Sequence, residues 1–165
     1  MDTPASVGLD IERVSFGASD VVRLVADLQQ EFVLRYGGPD ETVLTVDTFD
    51  DESGQFFLGR SAGEPVVIGG WRMRRDVAAL GGTRAAEIKR MYVVPTAQRR
   101  GHARTMLAHL ETTAREAGAD VLVLETGAEQ PEAIALYESS GYTPVEGFGL
   151  YKDEPSVRYL GKRLA

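Results

Sequence analysis

The 165-residue chain contains no cysteine. That excludes disulfides, thiolate metal sites and a cysteine nucleophile, and it leaves the redox compartment open. Histidine is nearly as scarce. His102 and His109 stand at no metal-ligand spacing, so no metal is expected. The serines have no nucleophile-elbow context. No apolar run approaches the roughly 20 residues of a membrane span, so no membrane partner is expected. The first ten residues lack both a basic start and an apolar core, so they do not read as a signal peptide, and a cytoplasmic location is the expectation. Positive charge is also short: 18 Lys and Arg against 25 Asp and Glu give a net charge of −7. A broad basic face for nucleic acid is therefore not expected.

What is present suits a folded protein. Hydrophobic residues make up 43% and charged residues 26%, ordinary globular values, so the chain should bury a core. Its length suits one domain over residues 1–165. The basic residues are unevenly placed. Arg72, Arg74, Arg75, Arg84, Lys89, Arg90, Arg99, Arg100 and Arg104 crowd into about a fifth of the chain. One local anion site on an acidic body is the simplest account.

Taken in order, residues 1–7 carry no pattern and read as loose. Residues 9–15 read as a strand with Leu9, Ile11 and Arg13 on one face. Ser19 could cap a helix running to Tyr36, with an apolar face of Val21, Leu24, Val25, Leu28 and Phe32. Gly37, Gly38 and Pro39 stop it. Residues 40–54 form an acidic loop, either simply solvated or arranged to attract a cationic amine. Three strands follow over 55–60, 65–74 and 84–94, joined by a turn at 63–65 and a loop at 76–83. A helix after the third carries Ala103, Met106, Leu107, Leu110 and Ala114 on one face and closes at Gly118. A nearly all-apolar strand spans 120–125, and Pro131 starts a further helix. Residues 142–145 and 156–160 read as a final antiparallel pair. The resulting order is β-α-β-β-β-α-β-α-β-β, a mixed α/β fold in which the strands at 84–94 and 120–125 run parallel.

The chain is organised around residues 87–111. A strand ends at Pro95, a short turn holds Gly101, and an amphipathic helix begins. Such a turn presents free N–H groups and the positive end of a helix dipole, which favour a phosphate. Arg99, Arg100, His102 and Arg104 crowd it. The plain alternative is a solvated basic turn. The spacing is more specific: Gln98, Gly101 and Ala103 match the Arg/Gln-x-x-Gly-x-Gly/Ala signature, and here the chain resembles the GNAT N-acetyltransferase superfamily. A second stretch strengthens the resemblance. In residues 130–142, Ala133, Leu136, Tyr137, Gly141 and Tyr142 match the pattern Asn-x-x-Ala-x-x-Leu-Tyr-x-x-x-Gly-Phe/Tyr, with Gln130 in the place of Asn. The likeness covers residues 55–145 well and the ends loosely. Arg35-Tyr-Gly-Gly-Pro and Phe148-Gly-x-Tyr151 are similar to a bacterial branch whose substrates are mostly unassigned.

The resemblance implies the GNAT fold: a mixed, mostly antiparallel sheet, its fourth and fifth strands parallel and splayed, with helices on both faces. It implies that Gln98, Arg99, Arg100, Gly101, His102, Ala103 and Arg104 wrap the pyrophosphate of acetyl-CoA. Backbone groups around Met91, Tyr92 and Val93 would meet the pantetheine and the thioester oxygen, and the Gln130 amide would add a pantetheine contact. It makes Glu87 the general base, through a water, and Tyr137 the general acid. A phenol with ordinary pKa about 10 can protonate a departing thiolate whose parent thiol is near 8.5. The structural alternatives are a Glu87 paired with Lys89 or Arg84 and a Tyr137 that only packs its ring. Trp71, Phe148 and Tyr151 could line an acceptor pocket or belong to core and rim. His109 reads as facing away from the Leu107 and Leu110 stripe.

The reaction implied is direct attack of a primary amine on acetyl-CoA in a ternary complex, with a small molecule as acceptor. A non-catalytic acyl-CoA sensor and a protein acetyltransferase remain alternatives. The sensor would need neither Glu87 nor Tyr137. The family also admits a homodimer.

Overall fold

A computed structural model describes residues 8–164. The expectation for residues 1–7 lies outside them. The elements are β1 (Asp10–Arg13), α1 (Ser19–Tyr36), β2 (Gly54–Ser61), β3 (Glu64–Arg74), β4 (Ala85–Val93), α2 (His102–Glu116), β5 (Val121–Gly127), α3 (Pro131–Ser139), β6 (Thr143–Pro144) and β7 (Val157–Arg163). Short 3-10 turns at Val46–Phe49 and Pro95–Ala97 interrupt two of the loops. Among the described residues the strands form one seven-stranded sheet in the order β1-β2-β3-β4-β5-β7-β6.

The alternation within the strands decides which face each residue packs on. Phe56, Leu58 and Ile68 meet Val21, Leu24 and Leu28 of α1. Phe57, Val67 and Trp71 point the other way, onto Met106, Leu107, Leu110 and Ala114 of α2, a core that Tyr137 of α3 joins. Each fully buried Leu or Met stabilises the fold by about 1.5–3 kcal/mol, and Met106, Leu107 and Leu110 are essentially inaccessible. Helices therefore cover both faces. A third cluster, Val77, Ala85, Val121, Val123, Phe148 and Tyr159, lies beside the α1 side, under the loop that follows β6.

Some expectations are corrected. Ser19 does not cap α1: Ala18 is the N-cap, with no side-chain capping bond, and Ser19 is already helical. Gly37 does close the helix, at φ 79°. The first strand is shorter than 9–15, and β6 covers only Thr143 and Pro144, although the Val145 N–H still donates to the Tyr159 carbonyl at 3.0 Å. His109 does not face away from the core. Its ring packs edge-on against Phe57 at 4.5 Å, and burial lowers its pKa.

Two features of β4 shape the space beside it. Its parallel ladder with β5 covers only Ala85, Ala86 and Glu87 against Val121, Leu122 and Val123. Beyond that point β4 stays with β3 and β5 with β7, so the two strands separate and leave facing edges without a ladder. On its other side, β4 bulges. Gly70 pairs with Lys89 and Ile68 with Tyr92, so Arg90 and Met91 together oppose Gly69. Arg90 sits at φ 57°, a left-handed conformation costly for a residue with a side chain.

Candidate active site

The turn before α2 has the expected form. Gly101 is the N-cap, at φ 82°, and no side chain caps the helix. The Thr105 N–H makes the first bond of the ladder, to the Gly101 carbonyl at 3.0 Å, so the N–H groups before it face outward. Arg99 also has positive φ, at 65°. Arg99, Arg100 and Gly101 are exposed, whereas His102 is buried in the first helical turn. Arg104 reaches across to α3, donating to the Ser139 and Ser140 hydroxyls at 2.9 and 3.1 Å. The Gln98 amide donates to the Val93 carbonyl at 3.2 Å, which ties the turn to the end of β4.

A slot of about 90 Å³ occupies the gap where β4 and β5 part. It is lined by Ile88, Lys89, Arg90, Met91, Leu124, Glu125 and Tyr137, among others. It runs into a wider cup of about 520 Å³ walled by Phe32, Tyr36 and Tyr151 and carrying Glu41, Glu129 and Glu154 beside a single Arg35. Asp40, Glu125, Thr126 and Gln130 belong to both cavities. The Gln130 side-chain oxygen accepts a bond from the Thr126 hydroxyl at 3.2 Å.

A row of charges crosses the floor on the α1 side of the sheet. The register that sets Arg72 opposite Glu87 brings them together. Glu87 is 1% exposed. Arg72 Nε lies 3.0 Å and Arg74 Nη1 2.8 Å from its Oε1. Lys89 Nζ is 3.8 Å from Glu87, 3.6 Å from Asp40 and 3.2 Å from Glu125 Oε1. Arg90 Nη1 pairs with Asp40, and Nη2 donates to the Thr42 carbonyl at 3.3 Å. Burying a lysine costs several kcal/mol unless it is paired, and its three carboxylates meet that need.

The environment separates the acidities of these carboxyls. Burial pushes Glu125 above its ordinary value, and Lys89 only partly offsets this. Burial also acts to raise Asp40, but Lys89 and Arg90 outweigh it, and its value is lowered. Tyr137 is raised by burial alone. Its ring packs edge-on against Tyr142 at 5.7 Å.

Comparison with known proteins fits this geometry. The sequence pattern of the Acetyltransferase (GNAT) family matches residues 22–142. The chain belongs to the GNAT acetyltransferase family. A relative from Azospirillum brasilense named IAA acetyltransferase is 32% identical over 144 residues, covering 87% of this chain and 90% of its own. An uncharacterised N-acetyltransferase from Bacillus subtilis, YsnE, is 37% identical over 84 residues, 50% of this chain and 56% of its own. A Klebsiella pneumoniae structure, provisionally named an acyl-CoA N-acyltransferase, superimposes with a TM-score of 0.76 at 27% identity, covering 96% of this chain and 99% of that one. The chain is thus a GNAT enzyme of mixed α/β fold, with the splayed parallel pair at its centre.

Within this GNAT frame, Met91, Gln130 and Tyr137 meet around the slot, and the residues of the 98–103 turn stand at the N-terminus of α2. Tyr92 turns its side chain into the α1 core, so only its backbone belongs to the slot's edge. Glu87 lines neither cavity. Trp71 is not a pocket residue: it is fully buried, and its indole N–H donates to Thr113 Oγ1 at 3.0 Å. Phe148 is buried in the third cluster, with the Arg74 guanidinium 5.6 Å from its ring centre. Tyr151 does line the cup, and its hydroxyl accepts the Glu41 N–H at 2.7 Å. Of the acidic loop, Asp40 and Glu41 reach the cup, while Asp47, Asp50, Asp51 and Glu52 are exposed. Sequence reasoning missed Arg90 and Glu125 as site residues and had Asp40 only as part of the acidic 40–54 loop. The signal for Glu125 was a lone carboxylate closing the apolar run Val121 to Leu124.

Proposed function

We propose that this GNAT enzyme transfers the acetyl group of acetyl-CoA to a primary amine by direct attack in a ternary complex, and that the acceptor is a small cationic molecule. The observation that carries the reading is the slot between β4 and β5, bounded by Tyr137 and opening into a carboxylate-lined cup. The substrate fits the residues available. Free N–H groups and Arg99, Arg100 and Arg104 suit the pyrophosphate, with Gln98, His102 and Ala103 shaping the turn. A Cβ built on Gly101 would meet nothing within 4 Å, so that side of the turn is open to a bulky anion.

Along β4, the edge that faces β5 at Met91, Tyr92 and Val93, past the last β4–β5 pair, holds the pantetheine and polarises the thioester carbonyl, and Gln130 faces it from the start of α3. A single backbone donor to the developing oxyanion is worth on the order of 3 kcal/mol. Tyr137 protonates the departing thiolate; burial keeps its phenol protonated, though it also makes it a weaker acid than a solvated one. Glu87 acts at one remove. Its carboxylate neutralises Arg72 and Arg74 and reaches the amine only through Lys89. Holding the amine beside the thioester supplies much of the remaining rate. Residues 1–165 act as one acetyltransferase domain, in the cytoplasm, without a metal.

The test is thiol release from acetyl-CoA against a panel of amines, amino acids, polyamines, aminoglycosides and lysine peptides. Turnover with small cationic amines is the expected result. Turnover confined to lysine peptides would move the acceptor to protein. Tight acetyl-CoA binding with no turnover across the panel would sink the amine reading.

A further inference from the structure

The walls of the cup are held unequally. Its floor is the sheet, at Glu125 to Gly127 and Val157. The end of α1 is tied down: Arg35 Nη1 donates to the Glu129 carbonyl at 2.9 Å, and the Tyr36 ring lies on Gly127, where any Cβ would collide with it. Residues 40–42 are tied down as well. The Asp40 N–H donates to the Gln29 side chain at 2.8 Å, the Asp40 carbonyl accepts from it at 3.1 Å, and Arg90 grips both Asp40 and the Thr42 carbonyl. The remaining wall is the loop between β6 and β7. It is anchored at both ends, by buried Phe148 and by the Ser156 carbonyl, which accepts the Ala128 N–H at 2.7 Å. Its tip is different. Leu150 is 64% exposed, and the turns at Gly149 and Tyr151 bond only within the loop. Among the described residues, a single hydrogen bond joins residues 149–153 to anything outside their loop: the Glu41 N–H donates to the Tyr151 hydroxyl oxygen at 2.7 Å.

We propose that Tyr151 is a specificity-determining residue: its hydroxyl latches the loop tip onto the fixed 40–42 segment and so sets the girth of the amine that the cup accepts. The inference rests on the acetyl-transfer reading above and adds what limits its acceptor.

The same side chain is wall and fastener, since the Tyr151 ring lines the cup while its oxygen holds the opposite loop. The donor is well placed for this, because the residues on either side of Glu41 are pinned to α1 and to the β4 bulge. A slender, unbranched amine fits with the latch shut. An amine broad enough to part the two loops must break the bond and give the Glu41 N–H to water, which lowers its affinity by about 2- to 10-fold. The cup thereby selects by breadth as well as by charge.

The experiment uses two diamines of equal charge and different girth, 1,4-diaminobutane and 1,4-bis(aminomethyl)benzene, together with neutral hydroxylamine, which is too small to span the cup. Wild type should favour diaminobutane in kcat/KM. Tyr151→Phe keeps the ring and removes the acceptor oxygen. It should narrow that preference by about 2- to 10-fold, the worth of one hydrogen bond, through a higher KM for diaminobutane at nearly constant kcat. Hydroxylamine should be affected least. Acetyl-CoA affinity should match wild type, which reports that the fold is intact. The latch is also read without any acceptor: the Glu41 amide should be protected from hydrogen exchange in wild type and should exchange several-fold faster in Tyr151→Phe. An unchanged preference at intact acetyl-CoA affinity overturns the proposal, as does a Glu41 amide that exchanges alike in the two proteins. A wild type that favours the aromatic diamine overturns it too. A wild type that binds acetyl-CoA but acetylates none of the three probes would sink the amine-transfer reading itself, and the loss of all three rates tells that outcome from the others.

Discussion

At Tyr137 and Asp40, one physical effect, burial, meets two different surroundings. Tyr137 has no nearby cation, so removal from water raises its pKa unopposed. In the proposed reaction the hydroxyl donates a proton to sulfur and contributes little to holding CoA. Tyr137→Phe is expected to lower kcat by about 100-fold with acetyl-CoA Kd unchanged, measured by thiol release and by calorimetry. Asp40 has Lys89 and Arg90 beside it, and its folded pKa falls below the unfolded value. Its contribution to stability is therefore complete above an ordinary aspartate pKa of about 3.9 and is lost as pH falls through the lowered folded value. Glu125 has the opposite sign: its raised folded pKa gives a contribution present below about 4.3 and lost as pH rises through the folded value. Thermal melts of wild type should lose stability between about pH 5 and the lowered Asp40 value, and Asp40→Asn should flatten that acid limb. An unchanged limb in the variant would remove Asp40 as its source.

The elements differ in how much of them the sequence revealed. The limits of α1 were legible because its stop signal is local: Gly37 supplies the left-handed residue that closes the helix wherever the chain goes next. The 98–103 turn was legible for the same reason. Strands β3 and β4 were harder. Both are buried on both faces over much of their length, so alternation does not say which side meets α1 and which α2. Trp71 could thus be read as a pocket wall when its N–H in fact serves Thr113 inside the core. The Arg72–Glu87 pairing depends on a cross-strand register, and the bulge at Arg90 on a long-range fit, neither of which a single strand's composition encodes. The turn yields its own prediction. Gly101 is open around its Cα but has positive φ, so Asn, which tolerates that conformation, should bind acetyl-CoA nearly as well as Gly. Gly101→Asp adds a negative charge where the proposed reading puts the pyrophosphate, and should weaken acetyl-CoA binding by tenfold or more in titration calorimetry, on the order of 1–2 kcal/mol. Equal affinities for the Asn and Asp variants would mean the anion binds elsewhere.

Across the whole molecule, charge is divided. Positive groups cluster at the turn before α2, whereas the cup gathers Glu41, Glu125, Glu129 and Glu154 on a chain of net charge −7. An acidic cup concentrates cations and speeds their capture, an effect that salt screens over about 8–10 Å. The kcat/KM for a dicationic acceptor should fall several-fold between low and physiological ionic strength, while that for hydroxylamine should stay level. Steady-state rates at fixed pH check this, and equal salt slopes for the two acceptors would show that the cup's charge does not steer them.

The bulge in β4 ties these halves together. Arg90 occupies it, lines the slot, and holds the 40–42 loop through Asp40 and Thr42. One kinked residue therefore acts as the common datum from which two reactants are gauged. In the proposed reaction the exposed cup residues Glu129 and Glu154 can change, and the cup can be recut for a new amine, without altering how far the incoming nitrogen stands from the thioester carbon. Substrate choice and reaction geometry are thereby left free to evolve on separate parts of the chain.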